Sequence, residues 1–197
     1  MPYVPKPLSC DPARLNGLSE KLILSHWENN YAGAVKRLNA IEQKLAELNW
    51  AAAPVFEING LKREEAIASG SMILHEVYFD SLGGSGGGPG DALKAQMEKD
   101  FGSVDAWRAE FGAMGKAQGG GSGWTLLVWS PHRGRLVNAW AADHAHSLAG
   151  ATPLVALDMY EHSYHMDFGA KVGAYVDAFM ENLSWQAAEA AFVKLGA

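Results

Sequence analysis

Residues 158–165 read Asp-Met-Tyr-Glu-His-Ser-Tyr-His, which sets a carboxylate, Asp158, four positions from an imidazole, His162, among aromatic side chains. An apolar run from Thr152 to Leu157 leads into the pair and reads as a strand. A carboxylate or imidazole in apolar surroundings is costly unless it is paired or bound to a metal. The segment therefore points to a buried redox-metal site whose remaining ligands come from elsewhere in the chain.

The chain has seven histidines: His26, His75, His132, His144, His146, His162 and His165. His26 and His75 each interrupt a helical pattern, flanked by Ser25 and Trp27 and by Leu74 and Glu76. With His162 and Asp158 they make three nitrogens and one oxygen drawn from three separate elements. A lone histidine in an apolar helix is more often a hydrogen-bonded core residue than a ligand, so each competes with that plainer reading. A histidine and carboxylate set suits iron or manganese better than a thiolate set would. His132 falls in a polar turn. His144 and His146 fall in a loop before the third strand; near a metal, one of them could support a ligand from behind.

The elements that must position these residues follow from periodicity. Ser19 is a plausible N-cap for a long helix in which Leu22, Ile23, His26, Asn30, Ala34, Val35, Leu38, Ile41, Leu45 and Leu48 recur at three and four. A second helix is expected over about 62–82, after Asn59-Gly60, pairing with the first as an antiparallel hairpin. The run Gly83-Gly84-Ser85-Gly86-Gly87-Gly88-Pro89-Gly90 cannot be helical and marks a domain boundary. Beyond it, helices are expected from Asp91 and over 103–117, and strands at 124–129, 136–140 and 152–157. Helices follow at 161–167, 171–182 and 185–195. The fold class is α+β: a helical hairpin domain over 1–88, then an α/β domain over 89–197 with a three-stranded antiparallel sheet.

A hydrophobic content of 48% with 19% charged residues can bury a real core. A net charge of −6 suits neither nucleic acid nor an anionic membrane as partner, and it opposes an anionic substrate unless local cations attract it. The single cysteine, Cys10, excludes an internal disulfide and fits a reducing compartment. With no signal pattern at the N-terminus and no apolar stretch of membrane-spanning length, the expectation is a cytoplasmic protein.

The chain resembles the iron/manganese superoxide dismutases over nearly its full length. Asp158-Met159-Tyr160-Glu161-His162-Ser163-Tyr164 resembles that family's Asp-x-Trp-Glu-His-x-Tyr signature, with Tyr160 replacing the tryptophan. Gly121-Ser122-Gly123-Trp124 and Phe101-Gly102-Ser103 match two further motifs, and Ala178-Phe179 and Trp185 match the C-terminal helices. His26 stands ahead of Leu38-Asn39, and His75 ahead of Tyr78-Phe79, much as the family's first two ligands stand in theirs.

The resemblance implies one iron or manganese per subunit, iron preferred, held by His26, His75, Asp158 and His162 with solvent as a fifth ligand. It implies an antioxidant oxidoreductase that converts superoxide to oxygen and hydrogen peroxide. It also implies a homodimer in which Glu161 crosses the interface to His162 of the second subunit. Trp124 would wall the metal cavity, and His144 would take the place of the glutamine that bonds the metal's solvent, with a position near Ser71 as the other source. Tyr164 of a neighbouring subunit would be met by the gateway histidine, whose position here is Asn30.

Departures from the pattern collect after the first ligand. The run His26-Trp27-Glu28-Asn29-Asn30-Tyr31-Ala32-Gly33-Ala34 puts Ala34 at the gateway tyrosine's position, Asn30 at the gateway histidine's and Asn29 at a lysine's. Tyr31, about one turn before Ala34, is the phenol expected to reach the same channel. The usual Arg-x-x-Arg is replaced by Gly169-Ala170-Lys171-Val172, leaving Lys171 as the expected local cation. A complete metal shell under a rewritten funnel points to reduced or altered dismutase activity. The alternative is a metal-binding protein on the same scaffold, with weak or no dismutase activity and a binding or structural role.

Overall fold

The computed structural model describes residues 1–196. Ser19 caps the first helix by accepting a hydrogen bond from the Leu22 amide at 3.1 Å. The helix has three parts: α1 (Glu20–Ser25), a π-helical turn (His26–Tyr31) and α2 (Ala32–Glu47). The π turn begins at His26, and the Ala32 amide bonds back five residues to the Trp27 carbonyl. Such wide turns insert one residue into a helix and are frequent at functional sites. The spacing of three and four holds through α2, which buries Ala34, Val35, Leu38, Ile41 and Leu45.

The antiparallel partner, α3 (Val55–Asp80), starts seven residues before the expected Lys62. Pro54 ends the connection in an extended conformation, and its carbonyl accepts from the Glu57 and Ile58 amides to open the helix. Asn59-Gly60 therefore lies inside a helix. A glycine in an exposed helical turn costs about 1 kcal/mol relative to alanine, too little to end a helix of 26 residues whose later turns are buried. The inward face of α3 carries Ala68, Ser71, Met72, Leu74, His75, Tyr78 and Phe79.

The glycine run is irregular, as expected, but it is pinned. The Trp185 indole donates to the Gly87 carbonyl at 2.6 Å, Gly84 N donates to the Asn182 carbonyl at 2.9 Å, and Arg108 donates to the carbonyls of Gly86 and Gly87. Then follow α4 (Asp91–Phe101), α5 (Val104–Ala117), β1 (Trp124–Ser130), β2 (Arg135–Ala141) and β3 (Thr152–Asp158). The sheet is antiparallel in the order β2-β1-β3, with Trp124 opposite both Ala141 and Asp158. Pro153 sits on edge strand β3, next to an irregularity between Leu127 and Val128, where a missing amide does least harm.

The helix expected over 161–167 is instead a 3-10 turn (Glu161–Ser163) and a short α6 (His165–Phe168). They meet at Tyr164, and Gly169, at φ 54°, ends α6. The last helices are α7 (Val172–Glu181) and α8 (Gln186–Lys194). One continuous apolar core runs from Leu22 and Leu38 through Tyr78 and Phe79 to Val155, Tyr175 and Phe179. Among the described residues no helix is long and apolar enough to cross a membrane.

Candidate metal centre

Three elements carry the four expected ligands to one point. The π turn brings His26, α3 brings His75, and the end of β3 brings Asp158, with His162 in the 3-10 turn that follows. One donor atom from each of the four lies within 4.8 Å of the others. Asp158 Oδ2 is 3.1 Å from His162 Nε2, 3.2 Å from His26 Nε2 and 3.5 Å from His75 Nε2. Asp158 is wholly buried, and His26 and His75 are 1% exposed.

Two of the four ligands, Asp158 and His75, are held from behind. Asp158 Oδ1 accepts from the Tyr160 amide at 2.8 Å, and the Asp158 carbonyl accepts from the Tyr175 hydroxyl at 2.7 Å and the Ser163 hydroxyl at 2.8 Å. His75 Nδ1 lies 2.7 Å from the Ser71 carbonyl. A carbonyl only accepts, so Nδ1 carries the proton and the Nε2 lone pair is free to bind an ion. Burial pushes both His26 and His75 towards the neutral form, His75 down to about 3 with the charge of His26 adding to the effect. Burial alone would raise Asp158, but its close contacts with His162 and His26 outweigh that and hold it well below the ordinary carboxylate range.

Nε2 of His26 and Nε2 of His75 are buried without a hydrogen-bond partner. Each faces Asp158 at close range but not in hydrogen-bond geometry. An unsatisfied buried nitrogen costs about 1–3 kcal/mol. A cation shared by the four donors removes that cost, and donors each about 2 Å from one ion lie at spacings of this order. The residues fit a single mononuclear metal with histidine and carboxylate ligands, a set that suits iron or manganese.

Trp124, fully buried, stands edge-on to His75 with ring centroids 5.2 Å apart. Its indole donates to His144 Nδ1 at 3.1 Å. Tyr160 stacks on His144 at 4.6 Å and on His162 at 5.4 Å. The loop before β3 reaches this position because α3 presents Gly70 to it. A Cβ at Gly70 would lie 1.9 Å from the His144 carbonyl oxygen. Gly70 is a position that sequence reasoning missed, although a lone glycine inside a helical pattern is a recognised mark of close packing. Ser71, the other expected source of a solvent-bonding group, lines the cavity beside His75, with its Oγ 3.3 Å from Nδ1.

A cavity of about 230 Å³ opens above the cluster, lined by His75, His144 and His162 at its base. Asn29, Asn30, Ala34 and Arg37 line it further out. Tyr31 does not. Three helical steps leave residue 31 about 60° around the axis from residue 34, and its hydroxyl turns to the far side. There it accepts from the Lys6 amide at 2.8 Å and donates to Glu76 Oε1 at 3.1 Å. Tyr164 is buried against Tyr175, with ring centroids 5.2 Å apart, and does not line the cavity. Glu161 is exposed. Lys171, the expected cation, sits at the start of α7 and does not line the cavity, whereas Arg37, which sequence reasoning passed over, does.

Residues 89–191 match the family described as iron/manganese superoxide dismutases, C-terminal domain. The chain is 70% identical over 192 residues to a superoxide dismutase [Fe] of Cupriavidus metallidurans, covering 98% of this chain and 97% of that one. The chain belongs to the iron/manganese superoxide dismutases. A superoxide dismutase [Fe] of Aquifex aeolicus is 37% identical over 93% of this chain and 88% of its own length. A superoxide dismutase [Mn] 1 of Halobacterium salinarum is 36% identical over 85% and 83%. Relatives of this iron/manganese superoxide dismutase thus carry either metal in their names, in keeping with a histidine and carboxylate donor set.

Proposed function

We propose that the chain is a superoxide dismutase, disproportionating superoxide to oxygen and hydrogen peroxide at one iron per subunit, with manganese as the other metal the site accepts. The carrying observation is the convergence of His26, His75, Asp158 and His162, with the Nε2 atoms of His26 and His75 buried, unpaired and turned to the same point. The bound metal supplies one-electron chemistry, cycling between trivalent and divalent states. Full-length kinship with an iron relative supports iron as the preferred ion.

The chain's own residues hold the reactants and a proton. Asp158 brings one negative charge to the site, which favours the oxidised ion. Trp124 Nε1–H can only donate, so His144 Nδ1 accepts and the neutral ring carries its proton on Nε2. Burial keeps His144 towards that neutral form. His144 is therefore a hydrogen-bonding side chain at the base of the cavity, positioned by Trp124 and Tyr160 from one side and by the Gly70 approach from the other. Tyr31 and Tyr164 support the site from outside the cavity.

The finer assignments go with this reading. Glu161, exposed beside the partly exposed His162, is suited to meet a second copy across a homodimer interface. A lone cysteine suits an antioxidant enzyme of the cytoplasm. The break between a hairpin domain over 1–88 and an α/β domain over 89–197 falls in the glycine run. Elemental analysis paired with stopped-flow superoxide decay on the same sample tests the function: decay should scale with bound iron. Metal-loaded protein that leaves superoxide to its spontaneous decay would overturn the reading.

A further inference from the structure

We infer that Arg37 collects the anionic substrate at the cavity mouth and that Glu64 restrains it. The inference deepens the dismutase reading and takes the identity of the anion from it. The chain carries a net charge of −6, so its overall field repels superoxide and a local cation must offset that. Among the described residues that line the cavity, Arg37 is the one with a permanent charge. It lies one turn beyond Gly33 and Ala34 on α2. A Cβ at Gly33 would meet nothing within 4 Å, and Ala34 is small, so neither position puts bulk beside the guanidinium.

A planar guanidinium offers several donors to a small anion, is weakly hydrated and never loses its charge. Among the described residues its ion-pair partner is Glu64, and the pair is loose. Glu64 Oε2 lies 3.8 Å from Arg37 Nη1, with side chains 43% and 60% exposed respectively. Such a pair holds Arg37 lightly, so the guanidinium can exchange Glu64 for a passing anion while the carboxylate trims the local potential.

The test uses full-length protein loaded with iron, as wild type and as Arg37→Gln, Arg37→Lys and Glu64→Gln, with iron content and unfolding midpoint measured on each. Azide, a small inert anion, is titrated optically from about 10 mM to about 0.5 M ionic strength, a range over which screening becomes nearly complete. Arg37→Gln should weaken azide about three- to tenfold at the low end and flatten the salt dependence, in the range expected for one steering charge. Arg37→Lys should keep most of the salt dependence, and Glu64→Gln should tighten azide about two- to threefold at low salt. An Arg37→Gln protein with full iron and the wild-type azide affinity and salt slope would overturn the inference. If the wild type proves inactive towards superoxide while azide still responds to Arg37, the dismutase reading fails and the anion-collecting assignment stands.

Discussion

The floor of the site and its mouth are built from the same first helix but under different constraints. His26 is enclosed by α3, β3 and the 3-10 turn, and two of its neighbouring donors are fixed by buried partners: His75 by the Ser71 carbonyl, Asp158 by the Tyr160 amide and the Tyr175 hydroxyl. Asn29, Gly33 and Arg37 lie further along that helix, face solvent and contact few side chains. A change at the floor leaves an unpaired buried group, which is expensive. A change at the mouth alters shape and charge but little packing energy. The difference teaches why the chain can keep a complete donor set while its funnel holds Ala34, Asn30 and Asn29 where larger or charged residues stand in the family pattern. Variants that cross this division, disturbing stability from the mouth or leaving metal binding intact from the floor, would break the comparison.

The largest effect belongs to Asp158. Asp158→Asn keeps the shape but removes the charge shared by three imidazoles. Residues that merely orient ligands cost ten- to a hundredfold in metal affinity when lost, so loss of this ligand should cost more than about 10²-fold. Metal retained after dialysis against a chelator measures it, and retention at wild-type stoichiometry would show that the four donors do not share an ion. Next comes Gly70→Ala. The added Cβ meets backbone, the His144 carbonyl carbon at 2.8 Å as well as its oxygen at 1.9 Å, so the loop before β3 must move. Overpacking of this kind costs up to about 3 kcal/mol. Urea unfolding should show it in metal-free protein, and the loaded protein should show a changed optical spectrum as His144 shifts.

A smaller effect, about 2 kcal/mol, follows from pH. His75 is held neutral down to about 3 in the folded chain, whereas an unfolded histidine takes up a proton near 6.5. The unfolded state therefore binds more protons over that interval. Stability from this group is complete above about 6.5 and is lost progressively as pH falls towards 3. Chelator-treated protein should lose about 2 kcal/mol from His75 between pH 7.5 and pH 5 in denaturant titrations. Substitution at Asn29 or Arg37 should leave that slope unchanged; a mouth variant that altered it would show that the two layers are coupled.

The floor was legible in the sequence and the mouth only in part: Ala34, Asn30 and Asn29 were placed there, Arg37 was not. A carboxylate and a histidine after an apolar strand announce themselves because burial forbids them without a partner. His26 and His75 stand out because they interrupt apolar helical faces. The strands were legible because alternation and a tight turn at residues 130–134 constrain each other. The start of α3 was not, since Asn59-Gly60 reads as a break locally while the helix is already open from Pro54, whose carbonyl accepts from the Glu57 and Ile58 amides. Tyr31 and Arg37 were misjudged together, because spacing along a helix does not say to which side a long side chain turns. Gly70 was visible as a letter, but its meaning depended on a loop more than seventy residues away in the chain, which no local pattern brings near.

The smallest predicted effect probes the mouth directly. Gly33 lies within helix α2, and a Cβ there meets nothing within 4 Å. Glycine in a helix interior loses more backbone freedom on folding than alanine does, a difference of about 0.5–1 kcal/mol. Gly33→Ala should therefore stabilise the chain by that amount, with no change in bound metal, because the added methyl points into open space beside the entrance. If this glycine instead serves the passage of the anion, the same methyl should raise the azide dissociation constant even as the unfolding midpoint rises. A gain in stability with unchanged azide binding would mean that the mouth has room to spare, and that charge at Arg37 rather than width governs entry.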